Sequence, residues 1–422
     1  MMKKIILFSF ILFMSFLSVL GQTNKYNLDD LIHFAKESSP SLAAVKFQIK
    51  ADESRIKINS NLPDPLISFG VTNLPINSFS FTQEPMTGKM ISVTQAIPFP
   101  GKLSTIKELN EFDKTISTNQ YRENENNISL LMKRLYFQLY YSKKEYEVIQ
   151  NKKELFSALA EVLNSRSQNS LASQKDVIMN DYQISVAEDK LIAINSDQQN
   201  ILSNISVLTE KEIKISEIDF SEINQLEKLD LTNLSLEANP SINKLKSMIN
   251  KSAKKIELTD YNYYPDFKFT VQYNQRDIIS KTNTNLNDFI SFIVGFNLPI
   301  NFGGRIDAAT EESEYTQKYF EQNENAVRQD LSIKLQTAEE NYKSLKKRLA
   351  LINNELIEKA ELNYKTTLSA YQTDKASFND VVASINFLFD EKLKRDKIIT
   401  ELNKTISEII YLTGYEFKEI YQ

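Results

Sequence analysis

Few side chains in this 422-residue sequence could do chemistry: it has one His, no Cys and no Trp. Without Cys, disulfides and thiolate metal centres are ruled out. His33 follows the apolar positions Leu28, Leu31, Ile32 and Ala35 and reads as a helix-surface residue. Met86 and Met90 could offer soft sulfur to copper, but two Met without His or Cys make a poor site, so packing is their expected role. No phosphate-binding Gly loop and no nucleophile–base pair is found. Hence no catalytic residue, metal site or cofactor is assigned, and an enzyme is not expected. The best-defined polar pattern is Ser-x-x-Asp before an apolar run, at Ser173 to Asp176 and again at Ser377 to Asp380. This is close to a capping box, in which the pair satisfies orphan N–H groups at a helix start.

Caps need helices, and the helix breakers show where these run. Only 8 Gly and 10 Pro occur, and they cluster. None lies between Lys102 and Asn239 or between Arg305 and Thr413. Average usage would put roughly 30 there, so very long helices are predicted. As one helix, Leu103 to Ser165 would be on the order of 95 Å long. Leu335, Ala338, Tyr342, Leu345, Leu349, Ile352 and Leu356 fall at the spacings of a coiled-coil seam, as do Ile399, Leu402, Ile406 and Ile409. Val177, Ile184 and Leu191 are seven apart, and after a three-residue stammer so are Ile194, Ile201 and Leu208.

The chain is a tandem duplication. Pro40-Ser41 and Pro63-Asp64 return as Pro240-Ser241 and Pro265-Asp266. Lys102 corresponds to Arg305, Ser173 to Ser377, and Leu208-Thr209 to Leu412-Thr413, so the offset drifts only from 200 to 204. Each unit reads as helix, β-hairpin, long helix, turn and returning helix. Ile67, Phe69 and Val71, then Ile91 and Val93, alternate with polar or small residues in the first unit. Phe267, Phe269, Val271 and Tyr273, then Ile290, Phe292, Val294 and Phe296, do so in the second. These are strands of about nine residues, the length a tilted strand needs to cross a bilayer. Pro98 and Gly101, and Pro299, Gly303 and Gly304, mark the strand-to-helix turns. Four strands cannot close a barrel and open edges are not allowed in lipid, so membrane insertion would require copies to pool their strands.

At the N-terminus, Lys3 and Lys4 precede the apolar run Ile5 to Leu20, with small residues at Val19 and Gly21. A secretory signal peptide over 1–21, cut before Gln22, is expected. Without Cys, no lipid anchor is expected at the new end. The formal charge of −5 gives no reason to expect nucleic acid as a partner. The predicted organisation is a signal peptide, a first repeat over 22–209, an acidic equatorial insertion over 210–239, a second repeat over 240–414 and a tail over 415–422.

The order of elements, the duplication, Pro299-Ile300-Asn301-Phe302-Gly303-Gly304 and Asp380-Val381-Val382 resemble the TolC-type outer-membrane efflux channel family. The resemblance runs from about Tyr26 to Gly414. It implies an α+β membrane protein in which each tandem-repeat protomer gives four strands to a shared transmembrane β-barrel. The long coiled-coil helices would form a periplasmic α-barrel. It further implies a homotrimer in outer-membrane lipid, working with a periplasmic adaptor (membrane fusion) protein and an inner-membrane transporter such as an RND pump. The implied function is passive exit for what the pump delivers. Pro63-Asp64-Pro65 and the stretch Gln95 to Lys102 are similar to the heavy-metal cation-efflux branch. Alternatives are a type I secretion exit duct, or a periplasmic coiled-coil adaptor with one helical hairpin flanked by β-rich segments. The helix–helix turns, Arg166 to Asp176 and Tyr371 to Asp380, would form the periplasmic tip. The family often closes this tip with a Tyr and an Arg. Tyr371 matches the Tyr, while Ala376 occupies the place of the Arg, with Lys375 beside it. Asp176, Tyr371, Lys375 and Asp380 are thus the gate candidates; in three copies the two aspartates would form a ring of carboxylates.

Overall fold

The computed structural model describes residues 25–168, 172–221, 223 and 234–415. The expected signal peptide, much of the insertion and all but the first residue of the tail lie outside the described residues. The chain divides into two compact units, one of Met1–Leu42, Asn124–Asn239 and Asp330–Gln422, the other of Ala43–Glu123 and Pro240–Gln329. It is mostly helical with one small antiparallel sheet. Among the described residues no helix is long and apolar enough to cross a membrane.

In chain order the elements are α1 (Leu28–Glu37), α2 (Pro40–Asn59), β1 (Leu66–Thr72), β2 (Gly88–Ile97), α3 (Lys102–Gln168), α4 (Gln174–Thr209), α5 (Pro240–Asp260), β3 (Phe267–Gln275), β4 (Phe289–Phe296), α6 (Arg305–Leu351), α7 (Ile357–Gln372) and α8 (Phe378–Thr413). Both breaker-free stretches form the long helices expected of them. The repeat offset rises from 203 at Lys102 and Arg305 to 204 at Ser173 and Ser377, so the second repeat holds one extra residue. A single π-helical turn, Ile352–Leu356, joins α6 to α7. A π turn closes hydrogen bonds one residue later than an α turn, so it takes up one inserted residue without breaking the helix.

The first unit holds the returning helices. α4 and α8 are 36 residues each, and both start in a capping box. Both also end in the left-handed region, at Glu210 (φ 52°) and Gly414 (φ 76°). A side chain on Gly414 would put its Cβ 2.6 Å from the Ala238 carbonyl oxygen. Two polar side chains pin α4 against α3: Asn180 Nδ2 donates to the Phe156 carbonyl at 3.0 Å and Gln198 Nε2 to that of Ser142 at 3.1 Å. The start of the insertion packs on α3, with Phe220 5.0 Å from Tyr136 and 5.8 Å from Tyr140 between ring centroids.

The second unit holds the sheet, in the order β1-β2-β3-β4, so the two hairpins meet at the β2–β3 seam and β1 and β4 are the edges. One row across it is Ile67, Val93, Val271 and Phe292; the next, on the opposite face, is Ser68, Ser92, Gln272 and Ser291. The first row is exposed throughout, with Phe292 at 80 % and Ile67 at 56 %. Two-residue periodicity makes one face apolar and the other mostly polar. On the polar face the Thr94 and Thr270 hydroxyls bond across the seam at 2.7 Å. α2 and α5 flank the start of α3 through polar contacts: buried Asp52 accepts from the Ser117 hydroxyl at 2.6 Å, and Lys244 pairs with Glu123 at 2.6 Å. Burial pushes the Glu123 carboxyl up, but Lys244 and Ser241 outweigh this and hold it below the usual range.

Candidate functional site

In the first unit the turn between α7 and α8 is built on an apolar cluster. Phe156, Leu159 and Leu163 of α3 are buried with Tyr371 of α7 and Phe378, Val381 and Ile385 of α8. Tyr371 and Phe378 pack with ring centroids 5.7 Å apart. Residues Thr373 to Lys375 close α7: the Asp374 N–H donates to the Tyr371 carbonyl at 3.1 Å and the Lys375 N–H to that of Ala370 at 2.8 Å. This is a Schellman closure, and it places Asp374 where glycine is usual, at φ 58°.

Arg166, near the end of α3, binds this turn. Its Nη2 donates to Asp374 Oδ1 at 2.7 Å, and its guanidinium carbon lies 5.1 Å from the Tyr371 ring centroid. The Tyr371 hydroxyl is buried with no hydrogen-bond partner among the described residues. Burial pushes its phenol up; Asp176 adds to this, Arg166 opposes it, and Asp374 adds a little more. Tyr371 is thus engaged through its ring.

The other gate candidates have different places. Lys375 is exposed, and the cation on Tyr371 is Arg166, supplied by a different helix. Asp176 accepts from the Ser173 N–H at 3.3 Å and gives its own N–H to the Ser173 hydroxyl at 3.2 Å. Asp380 accepts from both the hydroxyl and the N–H of Ser377, at 2.7 and 2.9 Å. These bonds hold the Asp380 carboxyl below the usual carboxylate range. Between α7 and α8 lies an open groove of about 670 Å³, lined by Thr366, Thr367, Ala370, Ala376, Asp380 and Ser384 among others.

In the second unit the strand-to-helix turns lie beneath the sheet. Pro98 directly follows β2, and Gly101 at φ 94° starts α3. A Cβ there would come within 2.4 Å of the Tyr261 hydroxyl, so this position needs glycine for both space and angle. Phe99 stacks on Tyr264 at 4.6 Å. Asp266 accepts from the Phe99 N–H at 2.9 Å and from Lys102 Nζ at 2.8 Å. Burial pushes its carboxyl up, and these donors outweigh that and hold it low. Pro299 follows β4, Gly303 and Gly304 take φ 63° and 71°, and Asn301 caps α6 by accepting the Ile306 N–H at 2.8 Å. His33 is on the surface beside Glu37, as its position suggested. Met86 is exposed, Met90 packs over Gly70, and no metal-binding cluster occurs among the described residues.

Residues 231–388 match the family model described as "Outer membrane efflux protein". No curated protein matches the chain in sequence. Among solved structures, the outer membrane protein VceC from Vibrio cholerae aligns at 15 % identity and TM-score 0.74, covering 92 % of this chain and 96 % of that one. CusC, whose structures concern folding and transmembrane channel formation, aligns at 13 % identity and TM-score 0.77, covering 92 % of each chain. The open-state MtrE outer membrane channel of Neisseria gonorrhoeae aligns at 12 % identity and TM-score 0.71, covering 94 % of this chain and 91 % of that one. Such identities establish a shared fold. Part of the chain, residues 231–388, is thus similar in sequence to outer membrane efflux proteins, and the chain shares the fold of these channel structures across nine-tenths of its length.

Proposed function

We propose that this protein is the outer-membrane channel of a tripartite efflux system, giving passive exit to substrates that an inner-membrane pump delivers through a periplasmic adaptor. The observation that carries this reading is the sheet. It has four strands, one exposed apolar face, a mostly polar opposite face and two open edges. Lipid accepts the apolar face but not the edges, so copies must pool their strands into a closed barrel. Three copies of a four-stranded sheet give twelve strands, the number the family resemblance implies. The apolar rows would face lipid and the polar rows the lumen. For cargo, the reading follows the resemblance of Pro63-Asp64-Pro65 and Gln95 to Lys102 to the heavy-metal branch.

The test is fractionation followed by reconstitution. The protein should need detergent for release from the outer membrane, run as a trimer by light scattering and conduct ions in planar bilayers. A monodisperse monomer in mild detergent would refute the barrel. Release by salt alone would favour an adaptor. Deleting the gene should sensitise cells to graded copper, zinc or cadmium. Sensitivity only to organic dyes would overturn the metal cargo and leave the channel, and loss of a secreted protein instead would favour a type I duct.

A further inference from the structure

The duplication leaves a pair of charges without each other. At the β2–β3 seam, Lys102 and the Phe99 N–H of the first repeat hold Asp266 of the second. Each of these residues has a counterpart in the other repeat: Asp64 for Asp266, Ile300 for Phe99 and Arg305 for Lys102. Asp64 precedes β1 and Arg305 follows β4, so the counterparts lie beside the two edge strands. Both are exposed, and among the described residues neither side chain has an ion-pair or hydrogen-bond partner. Within one chain the seam that would join them, β4 against β1, does not exist.

We propose that Arg305 pairs with Asp64 of a second copy of this chain, so that β4 of one copy zips onto β1 of the next in the register the β2–β3 seam already uses. Carrying that register over by the repeat offsets sets Phe296 opposite Ile67 of the next copy, Val294 opposite Phe69 and Phe292 opposite Val71. On the other face Gly295 meets Ser68, Ile293 meets Gly70 and Ser291 meets Thr72. Every pair matches face to face, and bulky Ile293 falls opposite a glycine. A slip of one residue would turn the apolar row of one copy onto the polar row of the other. The charges add direction: Arg305 finds a carboxylate only at a β1 edge, so a β4 edge does not pair productively with another β4. The proposal rests on the channel reading, since it needs copies to share a sheet.

The native chain has no Cys, which makes it a clean background for cross-linking. Asp64→Cys and Arg305→Cys are placed on two differently tagged full-length chains, co-expressed, and treated in outer membranes with a short bismaleimide. A cross-link between the two tags is expected, with only background when both chains carry the same Cys. As a control, Lys102→Cys with Asp266→Cys in one chain should cross-link without a change in mass. In a second arm, Asp64→Arg and Arg305→Asp should each reduce the yield of detergent-resistant oligomer, and the two together should recover most of the loss. An intact oligomer with no cross-link between tags, or no recovery in the exchanged variant, overturns the pair and leaves the channel reading standing. A wild-type chain that does not oligomerise at all overturns both.

Discussion

Arg166 should hold the α7–α8 turn in place by charge and by ring contact, and Tyr371 should serve it as a surface. Arg166→Gln keeps part of the stem and removes the guanidinium. Its ion pair joins a mostly buried Arg166, 17 % exposed, to a mostly exposed Asp374, 73 % exposed. Solvent screening on the Asp side limits the pair to about 0.5–1 kcal/mol. The guanidinium over the Tyr371 ring adds about 0.5–1 kcal/mol. Arg166→Gln should therefore cost about 1–2 kcal/mol. A double-mutant cycle with Asp374→Asn should give a coupling of about 0.5–1 kcal/mol that shrinks at high salt. Tyr371→Phe should cost nothing, because its hydroxyl is buried with no partner among the described residues. Denaturant unfolding of the assembled protein measures all three, and bilayer conductance at rest should rise for Arg166→Gln and stay unchanged for Tyr371→Phe. If Tyr371→Phe costs as much as Arg166→Gln, the tyrosine acts through its hydroxyl and this reasoning fails.

Four further outcomes follow from the geometry. Phe269→Arg should cost about 2–4 kcal/mol of barrel assembly if the residue reaches the bilayer midplane, while Thr270→Arg on the opposite face should assemble normally; equal yields would refute the orientation. Gly101→Ala should be far more damaging than Gly303→Ala by thermal unfolding. Both positions have positive φ, but only at Gly101 does the new Cβ collide, against Tyr261. Glu210→Gly should raise the melting temperature by relieving about 1 kcal/mol of left-handed strain at the α4 end, where the second repeat already has Gly414. The Asp380 carboxyl is held low by Ser377, so the cap's contribution is full above the unfolded value near pH 4 and lost as pH falls through the folded one. The stability gap between wild type and Asp380→Asn should accordingly narrow in acid, and a gap that widens would refute the assignment.

The elements repeated at fixed offset were the legible ones. Strand periodicity showed which residues share a face, because alternation at Phe267 to Tyr273 is a local signal. The caps at Ser173 and Ser377 were legible for the same reason: donor and acceptor lie three residues apart. The Arg166 clamp was not. Its partner is 208 residues away, and the cation was sought beside Tyr371 in sequence, at Ala376 and Lys375, when it comes from another helix. A positively charged residue at the end of one long helix, opposite an acidic residue in a turn of its repeat, was the available signal. The extra residue of the second repeat showed as an offset change, but no sequence signature marks Ile352–Leu356 as the π turn that absorbs it.

The places where the repeats differ share a physical logic. Where both repeats must do the same thing, they kept the same solution: Ser-x-x-Asp at the returning helix, alternating strands, a left-handed exit from α4 and α8. Where one chain must meet its own other half at one end and something else at the other, they diverged. The first repeat ends its strand–helix turn in a short Pro-Gly-Lys and meets Asp266 inside the chain. The second spends two more residues in a turn that holds Gly303 and Gly304, before presenting an arginine that makes no ion pair among the described residues. An arginine tolerates such a displacement better than a lysine, since its planar fork offers several donors to one carboxylate. The helix turns diverged likewise in sequence: Tyr371 and Asp374 of the second correspond to Ser167 and Ser170 of the first, and Arg166 of the first, which meets both, corresponds to Ala370 of the second. A pure duplication would have left both turns with the same half of this contact and no complement. Divergence supplied the two halves separately, so the clamp links the repeats in a way neither repeat could achieve with its twin.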